Sequence, residues 1–291
     1  MLLQFIANGL VTGAVYAIVA LGFGLIYNTT KILHIAHGAV YVFSCYIFFT
    51  FYRILQLPLY FALPFGVILG SLFGIIMEIV VYHPLFERNA SSGVMIVSSV
   101  GIYIFTVNVI ALLFGNETKI VLPGIEKTYE FGGVILTRIQ IYQVFAFLIV
   151  FVLFLGLLKK TNLGKAVRAL ADNPTLLSTF GVEISNLRIW IFALGSIFAG
   201  IASCLVAMDV GMDPNIGMPA LLISAVSLIA GGIGIFEAAA IGGFTIGLIQ
   251  TLAVWQISAR WQEGITFLIL ILFLLLRPQG LLGKRRRVEE V

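Results

Sequence analysis

Two histidines, His34 and His37, are the first residues of this sequence whose type and spacing could do chemistry. They stand three positions apart in HIAH, a spacing that can bring two imidazoles to one metal ion. The zinc-protease pattern HExxH also needs a glutamate directly after the first histidine, where it acts as general base. That glutamate is missing here, so we predict no metal site in this chain.

Serine chemistry is the second possibility. Ser196 and Ser203 lie near glycines in an apolar run. A nucleophilic serine needs a histidine base and a carboxylate that orients the base, and no such partners stand at matched positions in the other apolar runs. We therefore predict that the chain is not an enzyme and that none of its residues is catalytic.

Carboxylates within a membrane segment would indicate proton coupling, because an ionisable group at the bilayer centre costs ~2.5–3.5 kcal/mol and is kept where it works. Glu78, Glu237 and Glu263 lie near the ends of apolar runs, whereas Asp209 and Asp213 fall in a predicted loop. None of the five lies convincingly at mid-depth. The sequence therefore argues against a carrier that is driven by protons.

Uncharged polar residues and glycines remain as groups that could line a path for a small solute. The sequence GGIGIFEAAAIGGF concentrates residues that interrupt helices, and interrupted helices line the paths of many transporters. The alternative is plain helix packing, for which small residues at intervals of four, as at Gly66, Gly70 and Gly74, are typical. We assign these residues to a translocation path: His37, Ser98, Ser99, Gly231, Gly232, Gly234, Gly242 and Gly243.

The composition places the chain in the membrane. Of its 291 residues, 60% are hydrophobic and 10% are charged, against roughly 25% charged in a typical soluble domain. Nine apolar runs, most near the ~20 residues that a membrane-spanning helix needs, cover 1–27, 35–53, 59–82, 94–114, 140–158, 187–208, 218–235, 238–256 and 262–277. The predicted fold class is all-α, a polytopic transmembrane helix bundle of about nine spans. Eight to ten spans are compatible with the sequence, because the run 218–235 ends in glycines.

A single transmembrane domain is predicted over 1–283, followed by a basic tail at 284–291. The stretches 115–139 and 159–187 lack a membrane-length run, and each is too short for an independent fold. Chemistry that needs a large polar domain must therefore come from other chains. The net charge of +4 comes from basic residues at membrane edges and at the C-terminus, so it does not indicate nucleic-acid binding. Cys45 and Cys204 are predicted to be packing residues.

The basic residues set the predicted orientation. If all nine runs cross and 159–187 lies in the cytoplasm, twelve of the 17 Lys and Arg residues face inside and five face outside. This distribution agrees with the rule that cytoplasmic loops carry an excess of Lys and Arg. The N-terminus is then outside and the C-terminus cytoplasmic. The loop 115–139 lies outside, where Gly132 and Gly133 predict a small β-hairpin, and the basic tail lies beside anionic lipid.

The segment 159–187 begins with an amphipathic helix outside the bilayer. Thr161 or Asn162 can cap its start, because their side chains accept hydrogen bonds from free backbone N–H groups. The 3.6-residue period predicts one face made of Ala166, Ala169 and Leu170.

A second short helix follows a break at Asn173 and Pro174. Pro174 lacks a backbone donor and disfavours helical geometry at Asn173, whereas an Asn cap followed by proline starts a new helix well. Gly181 would end this helix in the left-handed conformation. Its predicted apolar face, which needs a cover, consists of Leu176, Leu177 and Phe180.

Short motifs at family-like spacings run along nearly the whole chain. They are Ala36-His37-Gly38 with Tyr46; His83-Pro84-Leu85; Ile96 with Ser99 and Gly101; Gly164, Arg168, Ala169, Asn173-Pro174 and Gly181; Phe192-Ala193-Leu194 and Ala199-Gly200; Gly231-Gly232-Ile233-Gly234 and Gly242-Gly243; and the run from Arg277 to Gly283. Together they make the chain similar to the inner-membrane permease subunits of ATP-binding-cassette importers for branched-chain amino acids, in the shorter of the two permease types.

The resemblance implies an assembly in the bacterial inner membrane. Two permease chains would form the pore, two ATPase subunits beneath them would bind ATP, and a periplasmic solute-binding protein would deliver the solute; the permease itself would carry no cofactor. It also implies a coupling role for Gly164, Lys165, Arg168, Ala169, Asp172, Asn173, Pro174, Leu176, Leu177, Phe180 and Gly181. In that role Leu177→Asp or Gly181→Val is expected to uncouple uptake from ATP hydrolysis.

Departures from the family pattern leave the solute open. His34 stands where the family usually has Asn, and Ile235 and Glu237 stand where it tends to have Ser and Gly. Related systems carry other amino acids, or urea and short amides. A stand-alone secondary carrier or channel is the alternative of a different class, and uptake by this chain alone would select it.

Overall fold

The computed structural model describes residues 1–283 apart from 123 and 125, and it shows a helix bundle with one small hairpin. The helices are α1 Leu2–Thr30, α2 His37–Phe49, α3 Leu59–Met77, α4 His83–Glu87, α5 Ser92–Phe114, α6 Arg138–Lys160, α7 Asn162–Asp172, α8 Pro174–Thr179, α9 Ile184–Val210, α10 Gly217–Gly231, α11 Ala238–Gln256 and α12 Gln262–Leu276. π-Helical segments Thr50–Ile54 and Glu78–Tyr82 continue α2 and α3, and a 3₁₀ turn Ala259–Trp261 precedes α12. The predicted basic tail 284–291 lies outside the described residues.

Each of the nine predicted runs contains one helix. Among the described residues, six helices are long and apolar enough to cross a membrane: α1, α3 with its continuation to Glu87, α5, α6, α9 and α11. Helices α10 and α12 are apolar but have only 15 residues each. The helix of run 218–235 ends at Gly231, where the glycine cluster begins. The chain is therefore a multi-pass, mainly helical membrane protein, and the total of nine spans stays a prediction.

Helix α1 lies at the centre of the bundle. In its most apolar stretch 83% of the residues are buried, against 22% in α5 and 28% in α6. Glycines allow its neighbours to approach closely: a Cβ added to Gly243 of α11 would lie 2.6 Å from the backbone N of Ala17. Such backbone contact provides the van der Waals packing that holds helices together in lipid. Helices α5 and α6 instead present most of their surface to the surroundings.

Gly66, Gly70 and Gly74, which recur at intervals of four in α3, pack against neighbouring helices. Gly66 faces Phe48 and the Ser44 carbonyl of α2, Gly70 faces the Ser44 side chain, and Gly74 faces Ser196 of α9. A larger side chain at any of the three positions would meet these atoms. The row of small residues therefore seats α3 against α2 and α9.

One end of the bundle, which we call the hairpin end, contains residues 1–6, 50–58, 115–138, 209–216 and 255–262. The predicted hairpin is confirmed, since β1 (Thr128–Phe131) and β2 (Val134–Thr137) pair antiparallel around Gly132 and Gly133. Both glycines have positive φ angles, 57° and 82°, a conformation that is cheap only for glycine. Gln4 fixes the hairpin to α1, because its side chain both donates to the carbonyl and accepts from the N–H of Ile135, each at 2.8 Å.

Asp209 corrects one prediction at the hairpin end. The sequence placed it in a loop, but it lies in the last turn of α9, which extends to Val210. Gln143 of α6 donates to its carboxylate over 3.3 Å. This cross-helix partner lets a carboxylate continue the helix, and the apolar run alone could not reveal it.

The other end, which we call the elbow end, contains residues 28–37, 78–91, 159–188, 231–238 and 277–283. Gly234 donates its N–H to the Asn28 side chain at 2.9 Å. Lys159 at the end of α6 forms an ion pair of 3.5 Å with Glu237. These contacts bring the break between α10 and α11 beside the ends of α1 and α6.

Candidate functional site

Helices α7 and α8 form the elbow, and its local structure follows the sequence. The Thr161 hydroxyl accepts from Gly164 N at 3.0 Å and caps α7. The Asn173 side chain accepts from Leu176 N at 2.9 Å and caps α8, with Pro174 in its first turn. Gly181 follows with a φ of 78°. The two caps and the break between the helices are therefore confirmed as predicted.

The buried face of α7 differs from the predicted one. Gly164, Val167 and Leu170 are buried, whereas Ala169 is exposed and Ala166 is only half-buried. Gly164 fits this rotation, because a Cβ added to it would collide with the backbone of Leu157 and Leu158 at the end of α6. The small residue that permits the close turn from α6 into α7 thus points inward.

Leu177 also corrects the prediction for α8. It is only 7% exposed and belongs to the core of the chain itself, so Leu177→Asp would test folding rather than docking. Leu176 and Phe180 are 55% and 77% exposed. The described residues thus leave two large apolar side chains uncovered, Leu176 on α8 and Phe180 directly after it.

Five more of the predicted coupling residues are exposed as well. They are Lys165, Arg168, Asp172, Asn173 and Pro174. The exposed surface of the elbow therefore combines two large apolar side chains with charged and polar ones, a mixture that is also found in protein interfaces. Its coupling role stays a prediction.

A buried ion pair lies directly behind the elbow. Arg188 in the second turn of α9 donates through Nε and one terminal nitrogen to Glu78, over 2.5 and 3.1 Å. Their side chains are 3% and 1% exposed, and the guanidinium lies 4.5 Å from the ring centroid of Phe86. Arg188 also lines one cavity together with Leu170, Asp172 and Pro174. The pair therefore joins α3 and α9 at the place where the elbow packs.

A chain of hydrogen bonds continues from the same π-helical segment. Tyr82 donates to Ser99 over 2.8 Å and contacts His34 Nδ1 at 2.9 Å. The Ser99 hydroxyl in turn accepts from Ala36 N at 2.8 Å. His37 begins α2 beside this group, with its ring centroid 5.7 Å from that of His34. These contacts hold the connection 31–36 against α3 and α5.

The π-helical segment Glu78–Tyr82 thus contributes to both the ion pair with Arg188 and the hydrogen-bonded chain with His34 and Ser99. Glu78 and Tyr82 are its first and last residues and its two buried ones. This single turn therefore links two regions: Glu78 binds Arg188 behind the elbow, and Tyr82 contacts His34 in the connection 31–36. Sequence reasoning missed this link, although Glu78 and Arg188 gave a signal: they are opposite charges inside two apolar runs, and charges in such places need partners.

The residues assigned to a translocation path fall into two separate groups. His37 and Ser99 meet around the hydrogen-bonded chain, and Ser98 is half-buried next to it. The glycines lie elsewhere: Gly231 and Gly242 pack α10 against α11, and Gly243 packs α11 against α1. Gly232 contacts Gln279 and Gly283, whereas Gly234 has open space around it. Their role in translocation stays a prediction, because the close contacts also serve packing.

Possible metal ligands do not gather in the part of the chain that the structure describes. No group of three or more His, Cys, Asp or Glu side chains could hold an ion among those residues. The polar interior at the elbow end contains instead the Arg188–Glu78 ion pair and the hydrogen-bonded chain through Tyr82. Such groups orient helices.

Comparison with known protein families shows to which family this chain belongs. Residues 5–274 match the family model described as branched-chain amino acid transport system / permease component. The chain belongs to this permease family. The match includes both ends of the bundle, the elbow and the break between α10 and α11.

Relatives of this permease are similar along almost their whole length. The high-affinity branched-chain amino acid transport system permease protein BraD of Pseudomonas aeruginosa is 30% identical, over 99% of this chain and 98% of the relative. The permease protein LivH of Escherichia coli K12 is 28% identical, over 99% and 97%. A probable LivH permease of Methanocaldococcus jannaschii is 25% identical, over 91% and 88%.

A solved structure has a related fold at low sequence identity. PsaBC from Streptococcus pneumoniae in complex with Fab aligns with a TM-score of 0.52 and 14% identity, over 95% of this chain and 93% of the other. At this identity the similarity concerns the fold of the permease alone. It supports the arrangement of the helices as a whole.

Loss of the Tyr82 hydroxyl should destabilise this permease moderately. Tyr82→Phe removes the group between His34 and Ser99, and leaving buried polar partners unsatisfied costs about 1–3 kcal/mol. We expect a lower thermal unfolding midpoint of the purified chain in detergent. Tyr60→Phe is the matched control, since Tyr60 is 71% exposed. Equal midpoints for the two variants would mean that the hydroxyl contributes nothing to stability.

Proposed function

We propose that this chain is the transmembrane permease subunit of an ATP-binding-cassette importer for amino acids, most specifically branched-chain amino acids. It forms half of the translocation pathway in a bacterial plasma membrane, together with a second permease chain. Membership of the permease family and similarity to its relatives over 99% of the chain support this proposal. The chain acts as a single transmembrane domain without its own ATPase or catalytic site.

The chain alternates between the two ends of the bundle, and this alternation supports nine membrane crossings. α1 starts at the hairpin end, and the helix pairs that follow return to it near residues 55, 115, 211 and 257. α12 then leads to the elbow end at Arg277. Most described basic residues outside the core lie at the elbow end, which supports a cytoplasmic elbow and an N-terminus outside.

The exposed apolar pair on the elbow, Leu176 and Phe180, is the observation that supports a role in coupling transport to ATP hydrolysis. A permease without a soluble domain needs an outside source of energy. Leu176 and Phe180 at the cytoplasmic end offer separate ATPase subunits a surface on which to dock. The periplasmic solute-binding protein docks at the opposite, hairpin end. ATP-driven motion would then enter through α7 and α8 and reach α3 through the Arg188–Glu78 pair.

Uptake into proteoliposomes tests the proposal. The chain is reconstituted with the second permease, ATPase and binding-protein subunits of the proposed assembly, and accumulation of labelled L-leucine, L-glutamate and urea is measured. We expect ATP-dependent accumulation of L-leucine. Accumulation driven by a proton or sodium gradient, by this chain alone, would instead identify a secondary carrier, and preference for urea would identify another member of the family.

Phe180→Asp should weaken docking of the ATPase subunits. Burying a phenylalanine contributes about 1.5–3 kcal/mol, so its loss should lower the affinity for the ATPase about 10- to 100-fold. Uptake should fall in parallel, while the amount of chain in the membrane stays normal because Phe180 is 77% exposed. Co-purification of the ATPase with the tagged permease gives the measurement.

The same substitution at the hairpin end is the control. Phe131 is 60% exposed on β1, so Phe131→Asp adds an equal charge at the predicted outer face. ATPase binding should remain at the wild-type level in that variant. If Phe180→Asp binds the ATPase as well as Phe131→Asp does, the elbow is not the docking surface.

A further inference from the structure

Two cavities lie side by side where α10 packs against α1. The first, of about 170 Å³, is bounded by α1, α10, α11 and α12, and the second, of about 210 Å³, by α1, α2, α9 and α10. Tyr16, Pro219 and Ile223 line both cavities. Only a thin wall of side chains therefore separates them, and one small molecule can extend from one into the other.

The first cavity, which we call the polar cavity, carries hydrogen-bonding groups from three helices. Tyr16 donates to the Gln250 side-chain oxygen over 2.9 Å, and the Gln262 amide donates to the same oxygen over 3.2 Å. Thr266 completes the group, and its hydroxyl donates to the Gln262 carbonyl over 3.0 Å. Gln250 and Thr266 are 1% and 4% exposed. Such a preorganised set of hydroxyls and amides is the kind of lining that orients a polar ligand.

Glu263 gives the polar cavity its charge. It is exposed at the start of α12 and lines the cavity beside Gln262 and Thr266. No basic side chain among the described residues pairs with it in the structure. A carboxylate without a partner at the mouth of a cavity attracts a cationic group such as an ammonium.

The second cavity, which we call the aliphatic cavity, has almost no polar lining. Besides the shared residues its walls consist of Val15, Val19, Val206, Ile216 and Ala220, with Tyr41 at one side. A branched hydrocarbon would be favourable here, at about 0.8 kcal/mol for each buried CH₂ group. A charged side chain would be rejected, because the lining holds no opposite charge and offers only the Tyr16 and Tyr41 side chains as polar groups to replace its water.

Position along the helices places both cavities in the half of the bundle nearer the hairpin end. Gln262 and Glu263, which line the polar cavity, begin α12. Ile216, which lines the aliphatic cavity, directly precedes α10, and Pro219 in the first turn of α10 lines both. The two cavities therefore lie side by side at similar depth.

We propose that the two cavities form one binding site for a free α-amino acid with an aliphatic side chain. The ammonium lies toward Glu263, and the hydrocarbon passes Ile223 into the aliphatic cavity. The carboxylate replaces the Gln250 side-chain oxygen as the acceptor of the hydrogen bonds from the Tyr16 hydroxyl and the Gln262 amide. This assignment rests on the proposed function and specifies its solute class and site. Selection works by pairing: the polar cavity needs both main-chain charges, and the aliphatic cavity needs an uncharged branched side chain.

Protection of an introduced thiol tests the site. Ile223→Cys places a thiol on the wall between the cavities, and Cys45 and Cys204 are both 0% exposed, which keeps the background reaction low. Modification by N-ethylmaleimide is followed in membranes that hold the chain with its natural partner subunits. Met218→Cys is the matched control on α10, since Met218 is 38% exposed and lines neither cavity.

L-leucine should slow modification at position 223 at least fivefold and leave position 218 unchanged. 4-Methylpentanoate is leucine without the ammonium, and isoamylamine is leucine without the carboxylate; each should protect much less at the same concentration. L-lysine should not protect. Ala220→Cys repeats the experiment in the aliphatic cavity if the Ile223→Cys chain does not accumulate in the membrane.

Uptake measured in the same membranes separates the two proposals. If L-leucine is taken up but neither thiol in the cavities is protected, the site is wrong while the transport function stands. Equal protection at 218 and 223, or protection by 4-methylpentanoate equal to that by L-leucine, also overturns the site. If no amino acid is taken up in the presence of all partner subunits, the proposed function itself fails.

Discussion

Arg188→Met should destabilise the folded chain by about 3–5 kcal/mol, because it leaves the Glu78 carboxylate charged and without its partner in a buried place. Both side chains are almost inaccessible, and two hydrogen bonds join them. The thermal unfolding midpoint of the purified chain in detergent should fall by at least about 6 °C. Arg260→Met is the matched control, since Arg260 is exposed at the hairpin end.

A second substitution separates the charge effect from loss of contact. The double variant Glu78→Gln, Arg188→Met removes both charges, and replacing a whole buried ion pair by neutral groups is often close to neutral. It should recover most of the stability that Arg188→Met loses. An Arg188→Met chain that unfolds at the wild-type temperature would contradict the assignment of this pair as a structural link.

Gly243→Val should prevent assembly of the bundle. A Cβ at this position would lie 2.6 Å from Ala17 N and 2.7 Å from Ala17 Cα. Both atoms belong to the backbone of α1, so no side chain can move aside, and the helices must separate. Overpacking a core costs about 1–3 kcal/mol where side chains can adjust, and we expect more here. Size-exclusion chromatography of a fluorescent fusion should show loss of the monodisperse peak.

Gly156→Val is the control for this experiment. Gly156 lies within α6, and an added Cβ there would have nothing within 4 Å. The two variants make the same chemical change in two apolar helices, so insertion into the membrane should be equal. A monodisperse Gly243→Val chain would show that α1 and α11 do not pack backbone against backbone.

Local features of the fold could be predicted from the sequence. The apolar runs locate the helices, since a helix in lipid satisfies its own backbone and needs only length and hydropathy. The Thr161 and Asn173 caps and the Gly132-Gly133 turn follow equally from neighbouring residues. In each case the interaction spans a few positions, so the sequence contains all of its partners.

Features that depend on distant partners could not be predicted. Glu78 and Arg188 are 110 positions apart, and no local pattern shows which charge each one meets. The inward rotation of Gly164 and Leu177 likewise depends on how α7 and α8 lie against the helix bundle. The same holds for the cavities beside Tyr16, whose lining comes from several helices. The elbow was therefore predictable as a segment, but the roles of its individual side chains were not.

The central place of α1 has a consequence for biosynthesis. Tyr16 bonds to Gln250, 234 positions later in the chain, and at translation rates of about 5–20 residues per second the ribosome needs roughly 12–47 s to reach that partner. During this interval the first helix is already made, but the glycine surface of α11 does not yet exist. Insertion must therefore precede final assembly, and membrane proteases can sample an unfinished intermediate throughout that delay.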